Sequence, residues 1–126
     1  MESKYKVYMS GTSTGSVESD DGTMTTYSFE QSIPIPSYLL ALAVGNLEKQ
    51  ALGGRSYVIT EPEMMESSAA ELVDLDDSLQ RAEKFYITYP WDEYAILVLP
   101  PSFPYGGMEN PLLTFASPTI IVGDKS

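Results

Sequence analysis

The chain has 126 residues, enough for one domain with a core, and 43% of them are hydrophobic, which excludes disorder over most of its length. Eighteen acidic residues against seven basic ones leave a net charge of −11, a surface that repels nucleic acid and anionic membranes. Histidine and cysteine are both absent, which removes imidazole base catalysis, thiol chemistry, disulfides and any His-containing zinc site within these residues.

No apolar run approaches the roughly 18 residues of a membrane span. Met1-Glu2-Ser3-Lys4 leads into no apolar signal-peptide region. Neither membrane insertion nor nucleic-acid binding is therefore expected, and the missing cysteines suit a reducing, cytoplasmic setting. The acidity serves either solubility or the attraction of cationic substrates.

Lys4 to Met9 alternates, with Tyr5, Val7 and Met9 on one side, and is expected to be a strand. Ser10 to Gly22 is rich in Gly, Ser and Thr, ends in the turn signal Asp20-Asp21-Gly22, and is expected to be a loop. Its acids lack the alternating oxygen spacing of a calcium loop, so a solvated loop is the better reading. Met24 to Ile33 resumes extended structure with Tyr27, Phe29 and Ile33 on one face. It is expected to close a long-looped antiparallel hairpin with the first strand.

Pro34 and Pro36 force an extended passage. Tyr38 to Val44 is short and nearly all apolar, which predicts a strand buried on both faces. Gly53-Gly54 makes a turn, and Arg55 to Thr60 pairs back as a second strand. Pro62 and the acids Glu61, Glu63 and Glu66 suit a helix start. Met65, Ala69, Leu72, Leu75, Leu79, Ala82 and Tyr86 then recur at helical spacing, with a break near Asp76-Asp77 allowed for. Asp74, Asp76 and Asp77 are expected on a solvated face. Trp91, the single tryptophan, reads as a core anchor after Tyr89-Pro90. Tyr94 to Leu99 is a buried strand, and Leu112 to Val122 is extended with an interruption at Pro118.

Between those last runs lies Pro100-Pro101-Ser102-Phe103-Pro104-Tyr105-Gly106-Gly107-Met108-Glu109-Asn110-Pro111. Two glycines allow positive φ and the close approach of another backbone. A carboxylate placed directly after them can meet a cation carried by whatever approaches. The plainer alternative is a tight turn with a solvated Glu109.

Gly106-Gly107-Met108-Glu109-Asn110 resembles the exopeptidase motif of the zinc aminopeptidases that carry His-Glu-x-x-His, the gluzincins. Leu97-Val98-Leu99-Pro100-Pro101-Ser102-Phe103-Pro104-Tyr105 is similar to the leukotriene A(4) hydrolase/aminopeptidase branch. Phe29-Glu30-Gln31, Pro34-Ile35-Pro36-Ser37-Tyr38-Leu39 and Ala43-Val44-Gly45 resemble the seam where that family's N-terminal β domain meets its catalytic domain.

The resemblance implies a mixed α+β fold. Residues 1–46 would be the C-terminal part of an N-terminal antiparallel β domain. Residues 47–126 would be the β-α-β start of a thermolysin-like catalytic domain, without its zinc-binding helix. The family's zinc ligands would then belong to the full-length parent and none to this chain. The implied activity is removal of N-terminal residues from peptides, and the branch also hydrolyses a lipid epoxide. Glu109 would hold the free ammonium of a peptide substrate and assist epoxide opening. Gly106, Gly107 and Met108 would bond the substrate as an added strand. Tyr105 either lines the first side-chain pocket or packs beside the prolines, and Asn110 is expected to fix the local turn. The alternative is a non-catalytic truncated isoform, or a protein-binding module that uses the exposed sheet edge.

Overall fold

A computed structural model describes residues 1–86 and 88–122 of the chain. The N-terminal third holds two small antiparallel sheets. In one, β1 (Lys6–Met9) pairs with β4 (Leu42–Gly45); in the other, β2 (Thr12–Glu18) pairs with β3 (Thr25–Glu30). From residue 48 onward the strands β5 (Glu48–Gly53), β6 (Ser56–Thr60), β7 (Tyr94–Val98), β8 (Gly107–Asn110) and β9 (Leu113–Ala116) build one mixed sheet. Its order is β5-β6-β7-β9-β8. β6, β7 and β9 run parallel, and the two outer strands are antiparallel to their neighbours.

β6 and β7 are parallel and so cannot be joined by a tight turn. The crossover carries α1 (Pro62–Glu71) and α2 (Leu75–Phe85). Alternate strand residues feed opposite faces of the sheet. Val58, Ile96, Val98 and Ala116 meet Met65, Leu72 and Leu75 on the helix side. Ile59, Ala95, Leu97 and Leu113 meet Tyr8, Ala41 and Ala43 on the other. This is why β7 is a continuous apolar run: both its faces are covered. None of the described helices is long and apolar enough to cross a membrane.

Several expectations are corrected. The stretch taken as a loop, Ser10–Gly22, contains β2, whose seven residues are all exposed. With both faces wet it has no apolar alternation to read, and a bulge between Ser13 and Gly15, with Gly15 at φ +139°, breaks the period further. The turn at residues 19–22 does form. Asp21 Oδ1 accepts from Ser19 Oγ at 2.6 Å and from the Thr23 N–H at 3.1 Å, which holds its carboxyl down at about 2. That turn joins β2 to β3, so the hairpin partner of Met24–Ile33 is β2, and β1 pairs with β4 instead.

Tyr38–Val44 is not doubly buried. A 3-10 turn occupies Ser37–Leu39, and β4 sits in a two-stranded sheet with one open face. Tyr38, Leu40, Leu42 and Val44 are exposed while Ala41 is buried. The helix breaks at residues 72–74, close to the Asp76-Asp77 break allowed for, and the apolar stripe stops being core after Leu75, with Leu79 half-buried and Ala82 and Tyr86 exposed.

A further correction concerns Asp76, which is buried rather than solvated. It accepts from the Arg55 N–H (3.1 Å), Ser56 Oγ (2.9 Å) and Gln80 Nε2 (2.8 Å). Ser56 first, then the Arg55 backbone, lower its carboxyl below the usual aspartate range against the opposing pull of burial. Trp91 is half-buried. Its indole N–H donates to Gln31 Oε1 at 2.9 Å, and its ring lies 5.2 Å from Tyr89.

Candidate functional site

β7 delivers the chain to the site. The Leu99 N–H still bonds Ala116 O at 2.9 Å, and the two prolines then turn the backbone out of the sheet. A Phe103 N–H to Pro100 O bond of 3.0 Å closes that turn. Phe103 stands edge-on to both Phe115 (6.1 Å, 89°) and Tyr105 (5.8 Å, 78°). The aromatic loop is thereby pinned to β9.

The Ser117 N–H then bonds Gly106 O at 3.0 Å, and β8 runs back along β9 with Met108 opposite Phe115 and Glu109 opposite Thr114. In an antiparallel pair, successive residues point their N–H and C=O alternately toward and away from the partner strand. With Gly106 facing β9, Met108 and Asn110 face it too. The backbone groups of Gly107 and Glu109 point outward, along an edge that no other described strand covers.

Directly opposed residues share a sheet face. Gly107 and Glu109 therefore lie on the face of Ala116, the side that carries the helices. α1 and α2 lie chiefly over β5 and β6, at the far side of the sheet, and Glu109 is exposed. Tyr105, Gly106 and Gly107 are exposed as well, and Met108 is half-buried. Neither glycine uses the positive φ open to it. What they lack is bulk: a Cβ on Gly106 would meet nothing within 4 Å, and one on Gly107 would lie 3.3 Å from Phe115 O.

Asn110 is 3% exposed. Its Nδ2 reaches Met108 O at 3.4 Å, while its Oδ1 has no hydrogen-bond partner among the described residues. Pro111 and Leu112 make the two-residue turn into β9, and Leu112 holds φ +67°. Sequence reasoning placed Asp76 on a solvated face, named Gln31 only within the seam resemblance and gave Leu112 no role of its own; each has partners about twenty or more residues away that leave no local pattern.

Zinc does not fit these residues. Histidine and cysteine are absent from the chain, and no group of three or more carboxylates among the described residues is arranged to hold a metal.

The peptidase family M1 domain matches residues 75–126, a span that contains β7, the proline-aromatic loop and β8. That portion of the chain is M1 peptidase sequence. It is 51% identical over 98% of its length to leucine aminopeptidase 2 of Neurospora crassa and 49% identical over 86% to leukotriene A-4 hydrolase of Xenopus laevis. Its fold superposes on native yeast LTA4 hydrolase with a TM-score of 0.86, at 42% identity over 99% of the chain. The chain spans 19% of the Neurospora enzyme, 18% of the Xenopus one and 19% of the yeast structure.

Proposed function

We propose that this chain is the substrate-edge portion of a zinc aminopeptidase. In this reading residues 1–46 close an N-terminal β domain, and residues 47–126 open a thermolysin-like catalytic domain whose zinc ligands lie elsewhere in a longer, cytoplasmic protein. The division of the strands at residues 45–48 into separate sheets supports that boundary.

The observation that carries the proposal is the open edge of β8. A peptide laid antiparallel along it would find outward N–H and C=O groups at Gly107 and Glu109, with no Cβ on Gly106 or Gly107 to hold it off. Glu109 then takes the free ammonium of the peptide. A charge-assisted bond there is short and strong, and an internal peptide bond offers no cation to make it. The Met108 backbone faces β9 and so holds β8 in the sheet, and the Tyr105 ring, braced by Phe103, forms a wall of the first side-chain pocket. On a lipid epoxide the same carboxylate assists ring opening. The resemblance to both a leucine aminopeptidase 2 and a leukotriene A-4 hydrolase supports peptide and epoxide substrates alike.

The test is Glu109→Gln and Glu109→Ala in the full-length, zinc-replete protein. Each is expected to lose on the order of 2–4 kcal/mol in kcat/KM, roughly 30- to 1,000-fold, on substrates with a free amino terminus. N-acetylated substrates, already poor, change little. If both kinds of substrate fall by the same factor, Glu109 is a turn residue and the proposal fails.

A further inference from the structure

Leu112 is the only residue other than glycine with positive φ among the described residues, at +67°. A branched aliphatic side chain there is a genuine outlier, because its Cβ crowds the following carbonyl. Strain of this kind persists only where the surroundings over-determine it. At Leu112 they do. The residue is 3% exposed, and its side chain helps wall the cavity that Tyr8, Tyr27 and Phe29 of the N-terminal sheets form against Ala95 of β7. On the backbone side, Leu112 faces the Tyr89 hydroxyl.

The position of the outlier matters as much as its conformation. Pro111 and Leu112 are the whole connection between β8 and β9, so the φ of Leu112 sets how β8 leaves the turn and where Glu109 stands opposite Thr114. We infer that Leu112 is a positioning residue. Its side chain, clamped by the N-terminal β portion, holds the turn left-handed and thereby places the substrate-binding edge and the Glu109 carboxylate. This rests on the reading of β8 as the substrate edge. It adds that residues 1–46 act on substrate recognition through Leu112.

The experiment compares three variants in the full-length, zinc-replete protein by the ratio of kcat/KM on free-amine and N-acetylated substrates. Leu112→Ala removes the clamp and keeps the cost of positive φ, so the turn relaxes and the ratio falls, by roughly 10- to 100-fold for a displacement near 1 Å. Leu112→Gly removes the clamp too, but glycine accepts this φ freely, so the ratio returns to within about threefold of the parent. Leu112→Val keeps most of the burial and makes positive φ still harder; its ratio falls with that of Ala, and it serves if the Ala protein does not fold. A side chain that merely filled space would lower both substrates together and leave the ratio unmoved in all three. That result overturns the inference, as does a Gly variant that falls as far as Ala. Glu109→Gln is the control. If it shifts the ratio and Leu112→Ala and Leu112→Val do not, the turn inference alone is wrong; if it shifts nothing, the ammonium reading fails and the positioning role with it.

Discussion

Asp76 and Glu109 are two carboxylates set beside Gly-Gly pairs at opposite margins of the same sheet, and they are built in opposite ways. Asp76 lies under the β5–β6 turn. The Arg55 N–H, Ser56 Oγ and Gln80 Nε2 all converge on it, and an added Cβ on Gly53 would come within 3.0 Å of its own Cβ. Glu109 stands on the outer strand with its side chain exposed and an open backbone edge beside it. Glu109 follows its glycines closely in the chain, whereas Gly53-Gly54 lie more than twenty residues before Asp76 and meet it only in the fold. What differs is whether the fold supplies the hydrogen-bond donors. Where it does, the carboxylate ties α2 to a hairpin; where it does not, the carboxylate is free for something that arrives.

Replacing each with alanine should separate them most sharply. Asp76→Ala leaves three donors without an acceptor at a buried position and is expected to cost about 2–4 kcal/mol of unfolding free energy. Glu109→Ala is expected to stay within about 0.5 kcal/mol. Urea unfolding of the 126-residue chain measures both. The pH dependence sharpens the contrast. The Asp76 carboxyl is held below its ordinary value by Ser56 and the Arg55 backbone, so its folded pKa lies under its unfolded one. Its contribution is fully present above about pH 3.9 and is lost as pH falls through the folded value. The gap in stability between the parent chain and Asp76→Asn should therefore narrow below about pH 4. A gap that stays constant or widens in acid would mean that the carboxylate charge is not what holds this corner.

The same contrast explains what could be read from the sequence. Helical spacing from Met65 to Leu75 and the apolar runs of β6 and β7 carry their burial in their order, so the β-α-β core was legible. β2 was not, because Ser, Thr and Gly on two wet faces leave no period. Asp76 was not, because two of its three donors sit about twenty residues upstream. For β8, the glycines, Met108 and Glu109 were picked out through a family resemblance, not through any physical pattern in the strand. Leu112 was missed for a further reason: nothing in Asn110-Pro111-Leu112 announces positive φ, which normally calls for Gly or Asn.

A third region lies between the extremes, where Gln31 joins the N-terminal sheets to the crossover. Its Oε1 accepts from both the Trp91 indole and the Ile33 N–H, and its Nε2 donates to Ser10 O. Gln31→Ala should cost about 1–2 kcal/mol, less than Asp76 because the site is only half-buried. Trp91 is the single tryptophan, so its fluorescence reports this seam alone. The emission of the Gln31→Ala chain should move to longer wavelength as the indole gains water. An unchanged spectrum with unchanged stability would show that the two portions are held by apolar packing, and that this hydrogen-bond hub adds nothing.

The smallest expected effect divides two neighbouring glycines. A Cβ on Gly107 would stand 3.3 Å from Phe115 O, a backbone atom of the partner strand, so β8 and β9 must part by a few tenths of an ångström. Gly107→Ala should therefore cost about 1 kcal/mol of stability. On Gly106 the added methyl meets nothing within 4 Å, and the backbone is not in the left-handed region that would strain alanine. Gly106→Ala should thus fall within about 0.5 kcal/mol of the parent, and it can gain slightly because alanine has less freedom to lose on folding. Thermal unfolding of the two variants side by side decides this. If Gly106→Ala is as costly as Gly107→Ala, then Gly106 is a packing glycine like the pair beside Asp76. If it is silent, the fold itself has no need of glycine at 106, and the absence of a side chain there matters only to a chain that lies against the edge.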